Sequence, residues 1–274
     1  MYLKSIKSIL LSILLFAFAP LSNAQSDSLF HFLYSIKGGF NSFNVDNLDN
    51  IYLITKENQL KKINGNRDSI GVFNDVKRFG NPSSLDVSNP LKILLYYRDF
   101  STVVVLDRFL NIRNTINLRE QKMFIVNTIA ASYDNNIWLF DEEDYKLKKI
   151  DEGGQVLQET TGWRILFDSV PSPIQLLDRQ NDVYLYDKDK GFYIFDYYGV
   201  FKNRLPFLNW SNVEVSGKFI YGFSNDKLYM YELHSLQLKD YELPSFLKRY
   251  RDLKVINGKL YQLTDDGLAI YQLK

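Results

Sequence analysis

The sequence predicts an all-β chain, a six-bladed β-propeller in which an N-terminal strand completes the last blade. A short run of apolar, β-branched and aromatic residues recurs about every forty positions, each time with a second run close behind it. Asp, Asn and Gly punctuate the runs, as tight turns require. The final unit stops one strand short, while a lone strand-like run stands before the first unit.

The clearest unit is Ala131 to Glu159. Within it Ile137 to Phe140 and Tyr145 to Ile150 have the composition of strands, and Val156-Leu157 begins a third. Asp134-Asn135-Asn136 opens the first strand, Asp141 to Asp144 joins it to the second, and Asp151-Glu152-Gly153-Gly154 joins second to third. Asp and Asn side chains bond to nearby backbone and tolerate left-handed conformations, so these stretches read as hairpin turns.

Taken in order, the central runs are Ile51 to Ile54, Ile93 to Tyr96, Ile137 to Phe140, Val183 to Tyr186, Phe219 to Gly222 and Leu260 to Leu263. With Ile220 and Leu260 as the first positions of the last two, their spacings are 42, 44, 46, 37 and 40 residues. Each is followed by a second run: Leu60 to Ile63, Val103 to Leu106, Leu147 to Ile150, Phe192 to Phe195, Leu228 to Tyr231 and Leu268 to Tyr271. Runs that are apolar on both faces suit blades packed face to face. Phe30 to Ile36 supplies the fourth strand missing after Leu268 to Tyr271. That pairing closes the ring and removes its free edges.

Lys4 and Lys7 precede an apolar run from Ile9 to Ala19, then Pro20 and Ser22-Asn23-Ala24. A basic head, a short apolar core and small residues before the cut predict a signal peptide over 1–24, leaving 25–274 as one propeller domain. The apolar run is too short to span a bilayer, so no direct membrane insertion is expected. Without Lys4 and Lys7 the basic residues fall from 33 to 31 against 32 acidic ones, a net charge of −1. That balance argues against a nucleic-acid binder, which needs surplus Lys and Arg to displace counterions. The chain has no cysteine, which excludes a disulfide framework, a thiolate metal site and a lipid-modified cysteine anchor. An exported, cysteine-free domain large enough to bury its own core is expected in a bacterial periplasm, or else secreted or at the cell surface.

Val45-Asp46-Asn47-Leu48-Asp49-Asn50-Ile51-Tyr52-Leu53 resembles the opening hairpin of NHL-like six-bladed propellers. Tyr133 to Leu139 and Leu177 to Leu185 repeat its pattern of Asp, short turn and alternating apolars, whereas blades two, five and six lack the full Asp turn. Signal peptide, size, Tyr and Phe richness and the missing lipid anchor together are similar to the propeller-shaped periplasmic plug subunits of the type IX secretion translocon. That resemblance implies a partner in an outer-membrane translocon and a role in protein transport.

Chemistry is sparse. His31 falls in the closing strand and His234 in a turn of the fifth blade, so a two-histidine metal site is not expected. No phosphate loop, nucleophile elbow or zinc-protease helix pattern occurs. The best enzymatic case is a ring of acids: Glu57, Asp99, Asp141 to Asp144, Asp187, Asp189, Asp226, Asp265 and Asp266, read as lying on loops from inner to middle strands. Gathered at one channel mouth, they would make a metal-dependent hydrolase or a small-ligand binder. Such a site also needs inward polar groups, and the innermost strands read as apolar with scattered polar residues. Asp is equally a plain turn residue, so no catalytic residue, cofactor or metal is expected.

The connections between blades stand out more. They hold Arg78 and Phe79, Trp163 and Arg164, Phe207 and Trp210, and Arg249 and Tyr250, and they emerge on a single face. Aromatic residues and Arg are enriched in protein–protein hot spots. These eight are the expected partner-binding residues of a non-catalytic interaction module, unless the aromatics seal the gaps between blades instead.

Overall fold

The computed structural model describes residues 29–274, so the expected signal peptide lies outside the described residues. Strand β1 (Phe30–Lys37) comes first. Blade one follows as β2 (Phe40–Val45), β3 (Ile51–Thr55), β4 (Leu60–Ile63) and β5 (Ser69–Phe73). Blade two is β6 (Ser84–Asn89), β7 (Lys92–Tyr97), β8 (Thr102–Leu106) and β9 (Ile112–Asn117). Blade three is β10 (Val126–Ala131), β11 (Ile137–Asp141), β12 (Lys146–Ile150) and β13 (Val156–Glu159). Blade four is β14 (Gln175–Arg179), β15 (Asp182–Asp187), β16 (Gly191–Asp196) and β17 (Phe201–Leu205). Blade five is β18 (Ser211–Ser216), β19 (Phe219–Ser224), β20 (Lys227–Glu232) and β21 (Gln237–Glu242). Blade six is β22 (Asp252–Ile256), β23 (Lys259–Leu263) and β24 (Gly267–Leu273), with β1 as its fourth strand. The six-bladed propeller expected from the repeat is the observed fold.

Closure runs as the sequence implied. Strand β1 lies antiparallel to β24, with Phe30 opposite Leu273, Tyr34 opposite Ile270 and Ile36 opposite Leu268. First strands of successive blades pack against one another around a central channel, and fourth strands form the rim. Burial peaks in the middle of each blade. Strands β3, β7, β8 and β11 are buried along their whole length, whereas β13, β17 and β21 are largely exposed.

The apolar side chains form six clusters, one between each pair of neighbouring blades. A four-stranded antiparallel sheet alone would leave one apolar face wet, and stacking blades into a ring covers both faces of every blade. Turn chemistry holds the corners. Asp46 accepts hydrogen bonds from the backbone N–H of Leu48 and Asn50, each at 2.9 Å, from the Asn50 amide at 2.7 Å and from the Tyr52 hydroxyl at 3.0 Å. Asp107 and Asp196 bond the backbone two and four residues on in the same way.

Candidate functional site

Four antiparallel strands alternate in direction, so turns between second and third strands share a rim with the connections between blades. Backbone bonds tie the two together: Leu118 N to Ser101 O at 2.8 Å, Trp163 N to Tyr145 O at 2.9 Å, Asn209 N to Lys188 O at 2.8 Å and Leu243 N to Asp226 O at 2.8 Å. The acids from Glu57 to Asp266 sit on these turns, between second and third strands rather than between inner and middle ones. They share the inter-blade face.

Several of these acids are committed to local structure. Asp141 accepts from the Glu143 N–H and from the buried Lys148 ammonium at 2.7 Å, and Asp144 pairs with the same ammonium. Asp187 accepts from the N–H groups of Ser172, Asp189 and Lys190. Lys148 holds the Asp144 carboxyl below its usual range. Among the described residues no group of three or more His, Cys, Asp or Glu is placed to hold a metal ion. His31 and His234 are exposed on different elements.

The inter-blade connections present different side chains from those expected. Two are single helical turns, α1 (Val76–Phe79) and α2 (Trp163–Leu166). Trp163 is 0% exposed, Trp210 4% and Phe79 5%. These three seal blade junctions and offer no surface to a partner. The Trp163 ring stacks on Phe195 at 5.1 Å between centroids, meets Phe140 at 4.5 Å, and donates its indole N–H to Thr160 Oγ1 at 3.2 Å. Trp210 stacks on Phe207 at 4.5 Å and on Tyr229 at 5.2 Å, in space left by Gly222, where a β carbon would fall 2.4 Å from the indole. Phe79 tilts against Tyr97 at 5.3 Å. Phe207 is half-buried against the cluster that holds Trp210, and Tyr250 against the one between blades five and six.

Arg78, Arg164 and Arg249 are exposed. Arg164 lies over the Tyr145 ring, 4.3 Å from its centroid, and Arg78 lies over Phe79 at 4.7 Å. Beside the buried anchors stand exposed apolar residues outside the eight expected contacts: Phe124, Ile125, Ile165, Ile174 and Phe246, with Phe100 on a neighbouring turn. Ile165 follows Trp163 and Arg164 in one helical turn and is 81% exposed.

The channel also departs from the sequence reading. The innermost strands are not plainly apolar: Ser42, Ser84, Thr128, Gln175, Asn212 and Asp252 line a common cavity of about 270 Å3. Asn44 donates to Leu85 O at 2.9 Å, Gln175 to Val213 O at 2.8 Å and Lys254 to Phe43 O at 2.9 Å, while Asp86 accepts from Ala131 N at 2.9 Å. Each bond crosses from one blade to the next. Arg179 reaches Glu214 at 3.5 Å in the same way. Burial pushes the Glu214 and Asp252 carboxyls above their usual range. These polar groups act first as stitches between inner strands.

No protein-family model and no curated protein matches the chain. Solved structures do match in fold. The β-propeller domain of Cps50 (Swd1) from Myceliophteria thermophila aligns with a TM-score of 0.61 and 11% identity, over 89% of this chain and 100% of that one. A catalytically inactive virginiamycin B lyase from Staphylococcus aureus, bound to quinupristin, aligns at 0.59 and 11% identity, over 89% and 88%. PorZ, an essential surface component of the type IX secretion system of Porphyromonas gingivalis, aligns at 0.50 and 11% identity, over 90% of this chain and 38% of PorZ. At such identities the likeness is one of β-propeller architecture.

Proposed function

We propose that the protein is an exported, non-catalytic interaction module that binds a protein partner through its inter-blade face. The observation that carries this reading is the row of exposed apolar side chains on that face, Phe100, Phe124, Ile125, Ile165, Ile174 and Phe246, interspersed with the exposed Arg78, Arg164 and Arg249. Apolar anchors flanked by guanidinium groups are what a protein interface offers. Phe79, Trp163 and Trp210 set the shape of the face from beneath, and Phe207 and Tyr250 form its half-buried floor.

The sequence of residues 1–24 supports export, and the absence of cysteine is compatible with a periplasmic site. The most concrete version is a periplasmic accessory or plug subunit of an outer-membrane protein-secretion translocon, of NHL-like type. PorZ, which shares the architecture, is itself a surface component of a type IX secretion system.

The test is recovery of partners from the native envelope with tagged protein. Ile165→Glu and Phe124→Glu should lose the partner, and Leu48→Glu on the opposite face should keep it, all three with unchanged melting temperature. Equal recovery by all three variants would remove the inter-blade face from consideration.

A further inference from the structure

The opposite face carries its own candidate site. There the channel opens into a bowl of about 490 Å3, bounded by the turns between first and second strands. Asn47, Ser88, Gln180, Asn181, Ser216 and Asn257 line it. Amides and hydroxyls both donate and accept hydrogen bonds, so this wall suits a ligand whose own groups do both. Arg179 and Glu214 form the floor as an ion pair at 3.5 Å and offset each other. A phosphate or other strong anion therefore finds no spare cation there, and the wall, which also holds Val45, Pro90, Val215 and Ile256, is mixed rather than apolar.

One aromatic shelf stands at the rim. Tyr133, in the turn after β10, is 63% exposed and stacks on Tyr197 with ring centroids 4.0 Å apart. The shelf is fixed from below. The buried Asp178 carboxylate accepts from the Tyr133 N–H at 3.3 Å and from the Trp138 indole N–H at 3.1 Å. Lys149 lies 5.6 Å from the Tyr133 ring centroid and 4.5 Å from that of Trp138, and bonds to Asp134 at 3.0 Å. An ordered aromatic face beside many neutral donors and acceptors complements one class of small molecule, in which flat C–H faces alternate with rings of hydroxyls.

We propose that this mouth binds a saccharide, stacked on Tyr133 and hydrogen-bonded by the amides and hydroxyls of the bowl. The site lies on the face away from the proposed protein interface and stands or falls independently of it. Pocket volume and an aromatic wall with a few oriented polar groups are the usual marks of a small-molecule site.

The probes are glucose, N-acetylglucosamine and their linear tetramers, titrated against the full chain at millimolar concentration and followed by intrinsic fluorescence and saturation-transfer NMR. At least one should give a saturable response, since Trp138 is coupled to the shelf through Asp178. Tyr133→Ala and Gln180→Ala should each weaken it, the tyrosine change by about tenfold or more, while Tyr133→Phe keeps the stack and retains binding. Tyr198→Ala, an exposed tyrosine outside the bowl, should leave it unchanged. No response to any of the four sugars, or a response indifferent to both Tyr133→Ala and Gln180→Ala, overturns the proposal.

Discussion

Gly267 lies so close to Ile36 that a β carbon built on it would stand 2.1 Å from the Ile36 carbonyl oxygen. Gly267 opens β24, Ile36 belongs to the closing strand, and φ at Gly267 is 147°, a conformation that side chains disfavour. The seam of the ring is thus fitted around a missing side chain. Gly267→Ala should cost roughly 2–4 kcal/mol, because backbone rather than a movable side chain blocks the added carbon. Thermal unfolding checks this, and an unchanged melting temperature would contradict the seam geometry.

Trp163→Ala should lower stability by about 3–5 kcal/mol, the cost of emptying a large buried site. Ile165→Ala, two residues on, should stay within about 0.5 kcal/mol of the parent. Denaturant titration of the pair separates a sealing residue from a surface one. Similar losses for both would mean that α2 is packed differently from the arrangement described.

Asp46 and Asp196 perform the same turn in different surroundings. Asp46 is buried and also holds the Tyr52 hydroxyl, whereas Asp196 is half-buried and bonds backbone only. Asp46→Ala should therefore cost roughly 3 kcal/mol and Asp196→Ala about 1 kcal/mol, since a stranded buried donor is penalised more than a solvated one. Equal losses would show that the turn, not the buried network, sets the cost.

Burial raises the Asp252 carboxyl above its ordinary value of 3.8, and one of its oxygens has no hydrogen-bond partner. A carboxyl raised by folding contributes most below 3.8, where it is protonated in both states, and that contribution is lost as pH rises through the higher folded value. Asp252→Asn removes the penalty. Its melting temperature relative to the parent should rise between pH 4 and pH 8 and then level off. A difference independent of pH would show that Asp252 is solvated after all.

The ring, its closure and its buried middle strands were legible because they depend on composition repeated at a fixed spacing, which survives errors of a residue or two. The choice among Trp163, Arg164 and Ile165 was not. They are consecutive in one helical turn, and a rotation of about 100° per residue sends neighbours to opposite sides whatever their chemistry. Aromatic content did not distinguish exposed side chains from sealing ones, since rings large enough to anchor a partner are also large enough to fill a wedge between blades. The polar lining of the channel was present in the sequence. Ser42, Ser84, Thr128, Gln175, Asn212 and Asp252 recur at intervals of 42, 44, 47, 37 and 40 residues, nearly those of the second strands. First strands are interrupted by bulges, such as those between Phe40 and Ser42 and between Ser211 and Glu214, which blur the alternation that would have revealed them.

The pairing of Phe30 with Leu273 joins residues that are among the most distant in the described chain. Contacts of such separation form late, because the entropy of the intervening loop must be surrendered first. A nascent chain can assemble blade upon blade as it emerges, yet two sticky edges persist until β24 arrives to meet β1. Until then the chain is an open arc in which β1 lacks its partner strand and blade six its outer one. Two such arcs on neighbouring molecules can satisfy each other as readily as one arc satisfies itself. The seam that perfects the folded ring is, during synthesis, its point of greatest exposure to entanglement with another copy.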